Sequence, residues 1–209
     1  MPSTKRTSLC FLVLAGLALT PGPAGAAEPQ RPGAEAGSDV TQGWPEASRA
    51  VAEAMRAKYG APQEANATML IWRDNAPWAR TIVHKTGTEH DFPAQHRDVL
   101  EQTIVYKVPL NFYNAIATYN GSVIPDRTRG TITSFGDNEV TNILSINLAE
   151  GIVRGQMSAE QAREAHVAAA RDLAAGKTPE AARALTLQPQ QGDLTDPDTA
   201  MILPGDAKP

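Results

Sequence analysis

The chain has 209 residues, of which 19 are Lys or Arg and 23 are Asp or Glu, for a formal net charge of −4; it has one cysteine. A mildly acidic chain without a basic run argues against nucleic acid or an anionic membrane surface as its partner. A single cysteine rules out an internal disulfide and a multi-thiolate metal site.

Residues 1–26 follow the order of a secretory signal: Lys5 and Arg6 precede an apolar run from Leu9 to Leu19, and Ala24 and Ala26 supply the small side chains that a signal peptidase needs. The run falls short of the about 20 apolar residues that span a bilayer. Cleavage would remove Cys10 with the segment, and the loss of Lys5 and Arg6 takes the formal charge to −6. The expected location is therefore the periplasm or the outside of the cell, with no transmembrane segment after cleavage. Residues 27–43 and 188–209 are rich in Pro, Gly, Gln and acidic residues with little to bury, so they read as a disordered linker and a disordered tail. Residues 44–187 remain as a single domain.

Within that domain, Ala47, Val51, Ala54, Met55 and Tyr59 recur at helical spacing, with Gly60 and Pro62 as terminators. Residues 68–73 and 78–85 read as a hairpin across Asp74, Asn75, Ala76 and Pro77. Residues 99–108 alternate as a third strand. A short helix follows over 110–119, then two short strands over 122–124 and 128–134. Asp137 or Asn138 caps a long helix that ends at Gly155; Ser158 with Gln161 forms a capping box for the next, and Thr178-Pro179 opens a last short one. This order predicts an α+β fold, a small mainly antiparallel sheet with helices packed on one face.

Three of the four histidines, His84, His90 and His96, fall between residues 84 and 101 with Glu89, Asp91, Asp98 and Glu101. The segment reads as a loop between strands. Imidazoles and carboxylates gathered there suit a divalent metal such as zinc, with His84, His90, His96 and Glu101 as ligands. The alternative is that they are solvated or bonded locally, since their spacing matches no metal motif. His166 lies on the inward stripe of its helix, either as a satisfied buried imidazole or as a partner of the other three. Trp72 and Trp78 flank the hairpin turn, where they either form a binding surface or close the core. No Gly-x-Ser-x-Gly elbow, phosphate loop or cofactor fingerprint is present.

Tyr59-Gly60-Ala61-Pro62, Leu70-Ile71-Trp72 with Pro77-Trp78, His90-Asp91-Phe92-Pro93 with His96, Asp98, Leu100, Glu101 and Gln102, and Asn142, Leu144, Asn147 and Leu148 form a pattern over residues 44–175. In it the chain resembles a family of uncharacterised exported (periplasmic) bacterial proteins. That resemblance implies a periplasmic placement and draws attention to His90 and His96, but it transfers no activity, cofactor or partner. The leading expectation is a non-catalytic envelope domain that binds a protein or a small ligand and carries no cofactor. The alternative is a metal-binding or histidine-assisted enzyme with its site on residues 84–101.

Overall fold

The computed structural model describes residues 40–202. The expected signal segment and residues 27–39 lie outside them. The elements run in the order α1 (Glu46–Tyr59), β1 (Glu64–Ala65), β2 (Met69–Asn75), β3 (Trp78–His90), β4 (His96–Val105), a 3-10 turn (Leu110–Phe112), α2 (Tyr113–Tyr119), β5 (Val123–Asp126), β6 (Thr131–Gly136), α3 (Glu139–Val153), α4 (Ala159–Ala174) and a last 3-10 turn (Glu180–Ala182). The strands form one antiparallel sheet in the order β1-β2-β3-β4-β6-β5. This is an α+β fold. Among the described residues no helix is long and apolar enough to cross a membrane.

Helices α1 and α3 lie side by side on the same face of the sheet. Leu70, Trp72, Val83 and Leu100 pack under Val51, Ala52 and Met55 of α1, while Ile104 and Ile132 pack under α3. Helix α3 is buried on nearly every side, because the sheet covers one flank and α4 the other. An all-round apolar helix demands such a central place. Its start is fixed as the sequence predicts: Asn138 accepts from Thr141 N at 2.9 Å. The capping box of Ser158 and Gln161 opens α4.

Two polar pins hold α3. Asn142 donates to the Leu100 carbonyl and to Gln102 Oε1, at 3.2 and 3.1 Å, and so ties the helix to the sheet. Glu139, buried at the first turn, accepts from Trp78 Nε1 at 2.7 Å, from Gln102 Nε2 at 3.1 Å and from Lys58 Nζ at 2.5 Å, with a further bond from the Tyr59 hydroxyl. Burial opposes ionisation of this carboxyl, but the bonds from Lys58, Tyr59 and Trp78 overcome it and hold Glu139 below the usual carboxylate range.

The sequence ends one strand at residue 85 and begins the next at residue 99, which leaves 86–98 as a loop, and here the structure differs. β3 runs on to His90 and β4 begins at His96, so the histidines sit on paired strands joined by residues 91–95. β-Branched content marks strands in sequence; this stretch has only Thr86 and Thr88 of that kind among its Lys, Gly, Glu and His, and residues 88–90 are held extended by pairing with β4. Beyond Leu187, residues 188–202 contain no helix or strand, yet Gln190 N donates to the Val105 carbonyl at 3.0 Å and Asp196 N to that of Thr128 at 3.1 Å.

Candidate metal centre

The register between β3 and β4 decides which histidines meet. Val83 pairs with Leu100, and the next pair is Thr88 with Asp98. β3 thus spends five residues where β4 spends two. The three extra residues form a bulge, and because side chains alternate from face to face, an odd insertion reverses the facing of everything beyond it. His84, before the bulge, points to the open face of the sheet; His90, after it, points to the helix face. Gly87 sits in the bulge. A Cβ there would lie 2.7 Å from the Asp98 carbonyl oxygen and 2.6 Å from Val99 Cγ1, so the close approach of the two strands requires glycine.

The same alternation divides the carboxylates. Glu101 faces the open side, where His84 Nε2 lies 3.1 Å from one oxygen and Arg80 Nη2 donates to the other at 2.6 Å. Asp98 shares the helix face with Leu100 and Gln102. The predicted set of His84, His90, His96 and Glu101 is therefore not one site. The sheet separates His84 and Glu101 from His90 and His96, and Asp98 takes the place expected of Glu101.

On the helix face, His90, His96 and Asp98 each offer a ligand atom, all within 4.8 Å of one another. His96 Nε2 lies 3.0 Å from Asp98 Oδ1 and His90 Nδ1 lies 3.4 Å from Oδ2. Around a tetrahedral zinc ion with bonds of about 2.0–2.2 Å, neighbouring ligand atoms stand about 3.3–3.6 Å apart; the 3.4 Å between His90 and Asp98 is of that size, while the 3.0 Å between His96 and Asp98 is a hydrogen-bond distance that an ion would have to widen. Ser122 donates to Asp98 Oδ2 at 2.5 Å. His96 Nδ1 lies 2.8 Å from the Ala94 carbonyl, which accepts its proton and so turns Nε2 toward Asp98. Outer partners of this kind fix the tautomer and the ring plane of metal-binding histidines.

Electrostatics point the same way. The hydrogen bond to Asp98 lifts His96 to about 9 against the opposing pull of burial, and the Ala94 carbonyl adds to the lift. Burial pushes Asp98 upward, but its bonds from His96 and Ser122 win and hold it below its ordinary value. The cluster therefore attracts a cation, which is a proton on His96 when nothing heavier is bound. A serine-protease reading does not fit. Ser122 Oγ and Asp98 Oδ2 approach the same nitrogen of His90, at 3.2 and 3.4 Å, so the ring cannot relay a proton from one to the other.

His96 also lines a cavity of about 250 Å³ between the β3–β4 turn and helices α3 and α4, together with Gln95, Asp137, Asn138, Leu144, Ala170, Leu173 and His166. His166 is buried, its Nδ1 lies 2.8 Å from the Tyr119 hydroxyl, and Phe92 meets its ring edge-on at 5.0 Å. Burial, reinforced by the nearby charges of His96, His90 and Arg163, pushes His166 down to about 4, so it is a neutral imidazole. His166 thus joins the neighbourhood of His90 and His96 through Phe92 and the cavity, though not as a ligand of the cluster.

Trp72 and Trp78 form no binding surface. Both are 1% exposed; Trp72 Nε1 donates to the Gly60 carbonyl at 2.9 Å and Trp78 Nε1 to Glu139. Each indole buries its apolar body and satisfies its one donor, as a core tryptophan must. Ser122 was invisible to sequence reasoning, since it reaches Asp98 from the start of β5. Asp98 was visible only as one acid among several. Parity along β4 is the signal that separates it from Glu101, and Gly87, an isolated glycine within a strand, is the mark of the bulge that separates His90 from His84.

Comparison of the chain with protein-family models, with curated proteins and with solved structures finds no match in any of the three.

Proposed function

We propose that this is an exported, metal-binding protein of the bacterial periplasm, in which His90 Nδ1, His96 Nε2 and Asp98 hold a divalent ion, zinc before others. The convergence of two imidazoles and a carboxylate on one face of the sheet carries this reading. Its support is the gathering of three ligand atoms within 4.8 Å of one another, the Ala94 carbonyl that orients His96, and the Ser122 hydroxyl that braces Asp98. Three protein ligands leave one coordination position for water or a small ligand, the usual form of a site that binds or transforms something rather than a closed structural one. Nitrogen and carboxylate donors without thiolate suit zinc. The export signal in residues 1–26 and the resemblance to exported bacterial proteins support the location, where metal is taken up from an environment open to the outside.

The test is metal content and melting. One zinc per chain is expected in protein refolded with the metal, and at a hundredfold excess over Kd a ligand confined to the native state stabilises by about 2.7 kcal/mol. For a chain of this size that is a rise in Tm of about 5–10 °C. His96→Ala and Asp98→Asn should abolish both effects, while His84→Ala, on the far side of the sheet, should leave both intact. Zinc binding lost in His84→Ala and kept in His96→Ala would refute the assignment. An N-terminal residue near Ala27 in protein recovered from the cell checks the export reading; a retained Met1 contradicts it.

A further inference from the structure

Past Leu187 the chain leaves the core. None of the described residues after it is buried, and only Pro189, Leu194 and Asp196 are half-buried. Residues 188–198 nonetheless lie along one slot, between the end of β4 and the turn from β5 to β6, residues 127–130. Besides the two backbone bonds to Val105 and Thr128, Lys107 N donates to Gln190 Oε1 at 2.8 Å. Gly130, at a φ of 64°, lies against Leu194. A Cβ there would stand 2.5 Å from the Leu194 carbonyl oxygen, so the slot admits a second backbone only because residue 130 has no side chain.

Charge complements that shape. Residues 188–202 carry Asp193, Asp196 and Asp198 and no Lys or Arg, and the slot presents Arg127 and Lys107. Arg127 Nε donates to Asp196 Oδ2 at 3.1 Å, the same guanidinium pairs with Asp198, and Lys107 Nζ lies 3.8 Å from Asp196. These pairs are partly open to water, where an ion pair is weak and screened by salt. An arm held by a few surface bonds, with no side chain in the core, opens locally without unfolding of the domain. When it lifts, the Val105 and Thr128 carbonyls and the Lys107 N–H are left as two acceptors and a donor on the rim of the sheet, beside two cations. Such a rim takes up an extended peptide by main-chain bonds.

We propose that this slot is a docking site for an extended acidic peptide of a partner protein, and that residues 188–198 fill it as a built-in competitor. The class of the partner is read from the segment already seated: main-chain groups for Val105, Lys107 and Thr128, an acidic side chain for Arg127, and a backbone pressed against Gly130. A basic or neutral peptide would lack the ion pairs. Affinity for the partner scales with the fraction of molecules whose arm is open, so the seated arm holds partners off until it is displaced. The site does not depend on the metal reading.

The test is amide exchange and peptide binding on the full chain. In the wild type the amides of Gln190 and Asp196 should exchange more slowly than those of Thr199 and Ala200, which lie beyond the last ion pair. Asp196→Arg with Asp198→Arg, both outside the core, should remove that protection. The same double variant should bind a fluorescent peptide of residues 188–202 about tenfold or more tightly than the wild type does. Adding Arg127→Glu restores opposite charges within the chain, so it should reseat the arm and abolish binding of the acidic peptide. Against the double variant, a peptide with Asn in place of Asp193, Asp196 and Asp198 should bind about tenfold more weakly than the acidic one. Arm amides without protection in the wild type, a peptide that binds neither protein, or one that binds both equally overturns the proposal. Equal binding of the acidic and Asn peptides overturns it as well.

Discussion

Replacing Glu139 by alanine should be among the most damaging single changes outside the apolar core. Among the described residues its carboxylate is the only acceptor for the Trp78 indole N–H and the better of two for the Gln102 amide, whose other contact, Thr81 Oγ1, is at 3.4 Å. Both donors are buried, and each buried donor stripped of its partner costs about 1–3 kcal/mol. Lys58 is half exposed and returns to water at little cost. The expected loss is about 4 kcal/mol, in the range for breaking a buried charged network. Glu139→Gln keeps an acceptor toward Trp78 and Gln102 and gives up only the charge, so about 1–2 kcal/mol should go. Urea unfolding followed by tryptophan fluorescence and by circular dichroism measures both variants against Glu180→Ala, whose side chain is 90% exposed. A Trp78→Phe cycle adds the coupling, expected at about 1–3 kcal/mol. A Glu139→Ala midpoint equal to that of the Glu180 control, or additivity with Trp78→Phe, would refute the idea that one carboxylate bolts α3 to the sheet. Because Glu139 is held below its ordinary range, its contribution is complete above the unfolded carboxyl pKa and disappears as pH falls through the folded one.

Three further outcomes follow from the site. His166, at about 4 when folded against 6.5 when free, should show an NMR titration midpoint near the lower value; a midpoint near 6.5 contradicts its burial. The unfolded chain binds that proton first as pH falls, so stability should be full above 6.5 and decline by about 1.4 kcal/mol per pH unit down to 4, a slope that His166→Gln removes. Gly87→Ala forces the strands apart at Asp98 and should cost about 1–3 kcal/mol, with zinc affinity reduced as well; unchanged affinity would show that the bulge does not set the ligand. Ser122→Ala takes one donor from Asp98 and should weaken zinc by about tenfold, at the low end for outer partners, while leaving its stoichiometry at one.

The readable parts of this sequence were those with a local cause. The helix caps at Asn138 and Ser158 act over three or four residues and left their residue types in place, so α3 and α4 were legible, as was the α+β class. Trp72 and Trp78 were ambiguous because an indole at a hairpin looks the same in sequence whether it faces water or Glu139, 61 residues further on. The candidate site was half legible. Its histidines were singled out by clustering, but their grouping depends on strand register, and register is set by contacts between β3 and β4 that no single stretch displays. Parity within β4 alone would have placed Asp98 and Glu101 on opposite faces. The facing of His84 relative to His90 needed the bulge, whose trace in the sequence is one glycine.

The three surplus residues of β3 act as a parity switch. Deleting one of residues 85–87 would leave an even surplus and rotate His90 out toward Glu101, and deleting a second would bring it back. A change of chain length that touches no imidazole and no carboxylate would thus move an ion-binding group from the sheltered side of the sheet to the exposed one, which makes this short stretch, rather than the ligands, the place where such a site is most easily gained or lost.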